Sequence, residues 1–231
     1  MEANGRLATV EAKIAAACER AGRRRDSVRL LAVSKFHPGR TVAELARAGQ
    51  QDFGESYVQE AQAKRNELAC AWPDLRWHMI GHVQSRKAAA VAGAYHLIHS
   101  LDSVRLADAL EKHLANSRQR VLIEVNIAEE PQKAGVAPGM LPGLGRHVRQ
   151  ACPHLELAGL MCLPPVFDDG EAVRSYFARL RRLRDELEQT LGLRLPELSM
   201  GMSGDYETAI EEGATIVRVG TALFGPRPVK Q

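Results

Sequence analysis

Two sets of residues at opposite ends of this chain carry groups from which a reaction centre could be built. The first is Leu30-Leu31-Ala32-Val33-Ser34-Lys35, an aliphatic run that ends in a lysine before the turn His37-Pro38-Gly39. An apolar run bounded in this way reads as a strand buried on both faces. In α/β proteins, ligand groups gather at the carboxyl ends of parallel strands, and Lys35 stands in that place. A strand-end lysine that simply turns to water would look the same. The second set is Ser199-Met200-Gly201-Met202-Ser203-Gly204-Asp205, followed by Val217-Arg218-Val219-Gly220-Thr221-Ala222. Gly201, Gly204 and Gly220 let backbone N–H groups approach an anion, and Ser199, Ser203 and Thr221 add hydroxyl donors. Two Gly/Ser turns capping ordinary helices, with Ser203 or Asp205 as N-cap, are the plainer alternative. The Asp205 carboxylate would oppose a phosphate unless it points away into the cap.

An amine at one strand end and a phosphate cradle at another suit a phosphorylated aldehyde. Pyridoxal 5′-phosphate fits, because its aldehyde condenses with a lysine amine while its phosphate needs an N–H-rich anchor. The condensation requires a neutral amine, and free lysine titrates near ~10.4, so burial or a nearby cation must lower that value. Arg218 is such a cation. At the end of the last strand it would also face the ring nitrogen of the cofactor. A guanidinium keeps its proton, so the nitrogen would remain an unprotonated acceptor and the ring a weak electron sink. A buried pair between Arg218 and Glu124 is the competing reading.

The elements that must position these groups follow from periodicity. Leu7, Val10, Ile14, Cys18 and Ala21 recur at helical spacing with Gly22 as a stop, so the chain opens with an amphipathic helix. After Lys35 the pattern predicts helix over 41–48, strand over 51–54 and helix over 55–68. It then alternates strand and helix over 76–80 and 85–92, 95–99 and 103–115, 121–127 and 141–150, 155–161 and 171–190. The last units are strand 196–200 with helix 205–212, and strand 215–219 with a turn of helix over 221–224. The spacing therefore predicts an α/β fold, a single-domain (β/α)8 TIM barrel with an extra N-terminal helix, spanning residues 1–231. G-x-G-x-x-G is absent after the first strand, which counts against a doubly wound dinucleotide fold.

With 45% apolar but only 5% aromatic residues, the interior must be filled by aliphatics and alanine. A net charge of +3 is too mild to announce nucleic acid or membrane as a partner. The cluster Arg179, Arg181, Arg182 and Arg184 is followed by Asp185, Glu186 and Glu188, as on a solvated helix. Cys18, Cys70, Cys152 and Cys162 are scattered, which suggests neither a zinc site nor a disulfide framework, and points to a reducing cytoplasm. No signal peptide and no bilayer-spanning run is expected. His78 and His82 flank a strand end without a carboxylate at ligand spacing, so a satisfied histidine or a cofactor wall is the reading, and no metal is expected. Glu55 and Ser56 read as the acidic start of a helix or as pocket residues. Lys133 reads as a surface loop residue.

Several strings together resemble the pyridoxal phosphate homeostasis protein family. They are Ala32-Val33-Ser34-Lys35, Phe53-Gly54-Glu55 with Tyr57-Val58-Gln59-Glu60, Trp77-His78-Met79-Ile80-Gly81, and Val125-Asn126-Ile127 with Lys133-Ala134-Gly135. Gly159-Leu160-Met161, Ser199-Met200-Gly201-Met202-Ser203, and Val217-Arg218-Val219-Gly220-Thr221-Ala222-Leu223-Phe224-Gly225 complete the set. The resemblance implies a barrel of the alanine racemase N-terminal type with Lys35 as the Schiff-base lysine. It places Arg218 near the pyridine nitrogen and Ser199, Ser203, Gly220 and Thr221 around the phosphate. It also implies a role in vitamin B6 balance without established catalysis, with pyridoxal 5′-phosphate as cofactor; separately, dependent apoenzymes are the expected recipients and a monomer is the expected state. Ser56 stands where the family usually has Asn, and Arg86 where Gln-x-Asn-Lys is common. The first departure bears on a polar contact near Lys35, the second on the pocket mouth.

Two rival readings stay open. A racemase needs an acid or base on each face of the cofactor, and Lys35 serves one. The related racemases take a tyrosine from a second domain of the partner subunit, whereas this sequence ends shortly after the eighth strand. A barrel that binds protein or RNA through its arginines would instead show no chromophore and salt-dependent polyanion binding.

Overall fold

The architecture is a closed barrel of eight parallel strands joined in sequence order, β1-β2-β3-β4-β5-β6-β7-β8. It is taken from a computed structural model that describes residues 2–115, 117–165 and 171–226. The strands are β1 (Arg29–Val33), β2 (Asp52–Glu55), β3 (Arg76–Met79), β4 (Leu97–Leu101), β5 (Gln119–Val125), β6 (Leu155–Cys162), β7 (Glu197–Ser199) and β8 (Ile216–Val219). Around them run α1 (Ala3–Arg20), α2 (Gly39–Arg47), α3 (Val58–Leu68), α4 (Ala88–Val91), α5 (Val104–Glu111), α6 (Leu141–Ala151), α7 (Arg174–Leu191), α8 (Tyr206–Glu211) and α9 (Thr221–Phe224). The expected (β/α)8 barrel and its extra helix are both present. Helix α1 precedes the first strand and packs against α8, α9 and α2.

Alternation along each strand divides the apolar residues into two cores. Leu31, Leu97, Leu122, Ala158, Met161 and Ile216 form a small cluster inside the barrel. A much larger cluster, including Leu30, Phe53, Val121, Phe177 and Leu198, fills the space between sheet and helices. Inward-facing positions step by two on most strands: Leu31 and Val33 on β1, Leu122 and Glu124 on β5, Ile216 and Arg218 on β8; on β6 the step from Ala158 to Met161 is three, where the β5–β6 register shifts.

Several boundaries differ from the sequence expectation. Residues 85–92 form a short 3-10 turn followed by α4 rather than one helix, and β4 begins two residues later than expected. Glu55 ends β2 instead of opening a helix, and α3 starts at Val58. The arginine cluster on α7 is laced to acids, with Arg179 to Glu129 at 2.8 Å, Arg181 to Glu212 at 3.2 Å and Arg184 to Asp185 at 2.6 Å. Among the described residues, no helix is long and apolar enough to cross a membrane.

Candidate functional site

Strand register brings the two ends of the chain together. β1 pairs with β8, Leu31 beside Arg218 and Ala32 beside Val219, so the next rung sets Val33 beside Gly220. Lys35 follows two residues later in the turn above β1 and is half-buried. The loop after β7 is tied to β8, since the Arg218 N–H donates to the Gly201 carbonyl at 3.0 Å. Gly201 has φ +91°, and a Cβ there would lie 2.6 Å from the Ala209 Cβ and 2.9 Å from the Tyr206 Cα. Only glycine lets this loop close onto α8. The His37 ring stacks on Phe224 of α9 with centroids 4.8 Å apart, which ties the Lys35 turn to the Gly220 turn.

The Lys35 turn is held from behind by a buried ionic knot. Phe36 adopts φ +68°, a strained conformation for a bulky side chain. Its N–H donates to Glu60 at 2.6 Å. The Lys64 ammonium donates to the Ser34 carbonyl at 2.6 Å and to Glu55 and Glu60 at 2.7 Å each. The Ser34 hydroxyl donates to the same Glu55 oxygen at 2.6 Å. Burial raises the Glu55 carboxyl above its ordinary value, with Lys64 opposing. Its other oxygen, Oε2, is buried without a hydrogen-bond partner among the described residues.

Arg218 faces into the barrel and is buried. Its Nη1 donates to the Ser199 hydroxyl at 2.7 Å and its Nη2 to the Cys162 carbonyl at 2.8 Å. Ser199 is 0% exposed, and its Oγ lies 2.9 Å from His99 Nδ1. The hydroxyl expected in an anion cradle is thus already engaged by Arg218 and His99. Ser203 and Thr221 are exposed and Gly220 is half-buried, at the rim. The Asp205 carboxylate folds back to accept the Met202 N–H at 2.5 Å, so it stabilises the loop and makes no side-chain cap on α8. Glu124 makes no hydrogen bond with Arg218 among the described residues. Burial and the neighbouring Asp102 push its carboxyl up to about 7, with Arg218 opposing.

Sequence reasoning missed Lys64 and the partners of Ser199. The Glu60/Lys64 spacing was visible but is that of an ordinary surface pair. His78 is a satisfied core histidine, between Asp52 at 3.1 Å and His99 at 3.0 Å. His82 is exposed and pairs with Asp102 at 3.0 Å. Lys133 pairs with Glu130 at 2.7 Å on the surface. Asp108, His147 and Cys152 bring metal-capable atoms within 4.8 Å of one another. His147 is already bonded to Asp108 at 2.6 Å, and burial pushes the Cys152 thiol up to about 11, so the group reads as a tie between α5 and α6.

Comparison with known proteins places this geometry. Residues 6–228 match the family model "Alanine racemase, N-terminal domain". A "Pyridoxal phosphate homeostasis protein" of Aquifex aeolicus is 45% identical over 98% of this chain and 99% of its own. One of Pseudomonas aeruginosa is 45% identical over 96% and 94%. Among solved structures, PipY of Synechococcus elongatus with pyridoxal phosphate bound superposes with a TM-score of 0.84, at 37% identity over 97% of this chain and 100% of that one. Alanine racemase from Corynebacterium glutamicum shares the fold at 20% identity and a TM-score of 0.71, and this chain covers 62% of it. With the barrel, the lysine turn and near-complete coverage of relatives that carry that name, this chain belongs to the pyridoxal phosphate homeostasis protein family.

Proposed function

We propose that this chain holds pyridoxal 5′-phosphate on the Lys35 amine in the cytoplasm, as a monomer, and passes it to apoenzymes rather than turning over a substrate. The observation that carries the reading is the β1–β8 ladder, which sets the lysine turn beside the Gly220 turn. The donor set fits the group. Arg218 has only N–H donors, which suits an unprotonated pyridine nitrogen. The exposed Ser203 and Thr221 and the half-buried Gly220 offer donors for a phosphate at the same rim. In this proposal Ser203, Gly220 and Thr221 take the phosphate, Arg218 takes the ring nitrogen, and Ser199 acts through Arg218. When bound, the cofactor supplies an aldehyde carbon that a primary amine can attack. The chain's own work is to hold Lys35 in a fixed turn and to keep the two cofactor ends apart. The test is an absorption spectrum of the protein mixed with pyridoxal 5′-phosphate, followed by borohydride reduction and peptide mass analysis. A long-wavelength band and a cofactor mass on the Lys35 peptide, both lost in Lys35→Ala, are expected. A label confined to other lysines would refute the reading.

Glu124 favours a second reading, proton exchange of the racemase type. In an eight-stranded closed barrel β5 lies across from β1, so Glu124 occupies the wall facing the Lys35 strand, and its carboxyl titrates at about 7. That is where a second acid or base would act. Deuterium incorporation at the α-carbon of alanine, lost in both Lys35→Ala and Glu124→Gln, would establish it. No incorporation would leave the holding role alone.

A further inference from the structure

The barrel interior contains a continuous string of polar side chains threaded between aliphatic ones. At the amino-terminal rim, Arg76 Nε and Nη2 donate to the two oxygens of Asp52 at 2.8 and 2.7 Å. Asp52 Oδ1 lies 3.1 Å from His78 Nε2, His78 Nδ1 lies 3.0 Å from His99 Nε2, and His99 Nδ1 lies 2.9 Å from Ser199 Oγ. Ser199 then meets Arg218 Nη1 at 2.7 Å. The string passes from β2 through β3 to β4 and then crosses the barrel axis to β7 and β8. Asp52, His78, His99, Ser199 and Arg218 are all buried.

Both ends of this string can act in only one sense. Arg218 has donors alone, so the Ser199 oxygen must accept from it, and an ionised Asp52 has acceptors alone, so His78 must carry its proton on Nε2. Burial would raise the Asp52 carboxyl, but the bonds from His78 and Arg76 outweigh it and hold it at about 2. Burial also keeps both imidazoles below their ordinary value, hence neutral at pH 7. A neutral imidazole has one donor and one acceptor. With His78 Nε2 protonated, Nδ1 is bare and accepts from His99 Nε2–H. His99 Nδ1 is then bare and accepts the Ser199 hydroxyl proton. From Arg218 to His78 every donor points from the pocket toward Asp52, and no alternative set satisfies both ends.

We propose that Asp52, His78, His99 and Ser199 are positioning residues that act as one unit to fix the Arg218 guanidinium at the pocket floor. Asp52 sets the tautomers, the tautomers fix the Ser199 hydroxyl, and the Ser199 oxygen aims Arg218. Ser199 belongs to this unit, with no proton left for a phosphate. The effect on a bound cofactor rests on the role of Arg218 proposed above, whereas the proton arrangement does not.

The experiment has two arms. Long-range nitrogen–proton NMR of the protein without ligand, at pH 7, should show His78 and His99 both neutral with the proton on Nε2. A Nδ1–H form or a charged ring at either residue would overturn the proposal, whatever the protein binds. In the second arm, Asp52→Asn, Ser199→Ala and Ser199→Thr are mixed with pyridoxal 5′-phosphate. Ser199→Ala should weaken uptake about tenfold, the size of one charge-assisted hydrogen bond, and shift the absorption maximum. Ser199→Thr, which keeps the hydroxyl, should restore both. Asp52→Asn should mix the tautomers and shift the band in the same direction although it lies at the far rim. A purely structural role predicts lowered melting temperatures with unchanged spectra, and that result would refute positioning. If the unmodified protein takes up no cofactor while the tautomers are as stated, the functional reading fails and the proton arrangement stands.

Discussion

Arg218 carries a charge in a place where burial lowers its affinity for the proton, and among the described residues it is compensated by oriented acceptors, the Ser199 hydroxyl and the Cys162 carbonyl, with Glu124 and Asp205 adding only through charge. If it faces the ring nitrogen, Arg218→Glu should shift the absorption band of the loaded protein by favouring a protonated ring, and an unchanged spectrum would break that contact. Glu124 makes a second residue-scale statement, this time about stability. An unfolded glutamate titrates near 4.5, whereas folded Glu124 titrates at about 7. Between those values the folded state holds the extra proton, so stability declines as pH rises through the window. At about 1.4 kcal/mol per pH unit the loss is on the order of 3 kcal/mol. Denaturant titrations at pH 4.5 and 7 should show stability changing more favourably with rising pH in Glu124→Gln than in the native chain by about that amount, and equal changes in the two would sink the assignment. Lys35 and Arg218 were legible because each ends an aliphatic strand, a local pattern. The partners of Ser199 were not, since His99 lies 100 positions away and nothing in local spacing links them.

The element that deserves the most weight is the short turn after β1, because helix α3 is recruited to hold it. Lys64 leaves the exposed face that the Glu60/Lys64 spacing suggests and enters the gap behind Ser34. Replacing it with methionine would leave the Glu55 carboxyl buried without its counter-ion, a change worth about 3 kcal/mol or more. Lys64→Met should therefore lower the melting temperature and increase the exchange rate of the Phe36 amide, whose acceptor Glu60 loses its anchor. A rise in stability would show the knot to be dispensable. The strand pair β6–β7 offers a sharper case. Gly159 has φ +157°, and a Cβ there would fall 1.8 Å from the Glu197 carbonyl oxygen. Gly159→Ala must spread the two strands, so a large loss of soluble protein is expected, against near-native yield if the ladder can shift. The eight alternations were readable from periodicity, yet Glu55 was assigned to a helix. Acidic residues at a helix start and at a buried strand end look alike until the partner lysine, nine positions on, is known to turn inward.

Across the whole molecule, closing the sheet creates an interior that is aliphatic except at Glu124 and where the polar string passes, and these groups set the acid limit of the fold. Asp52, His78 and His99 have folded values below their unfolded ones, Asp52 at about 2 and the histidines below 6.5 through burial. As pH falls below 6.5 the unfolded chain takes up protons that the buried imidazoles refuse, so their contribution to stability is present above 6.5 and lost below it. The Asp52 contribution is lost only further down, as pH falls from 3.8 toward 2. Glu124 acts in the opposite sense between 4.5 and about 7 and partly masks the histidines. In a Glu124→Gln background the mask is removed, and stability should fall steeply between pH 6.5 and 5. Adding His99→Gln should flatten that fall while lowering stability at pH 8, because an amide of similar reach has no proton to gain. Equal slopes in the two backgrounds would mean that the acid limit is set elsewhere, by the carboxylates of the outer ion pairs.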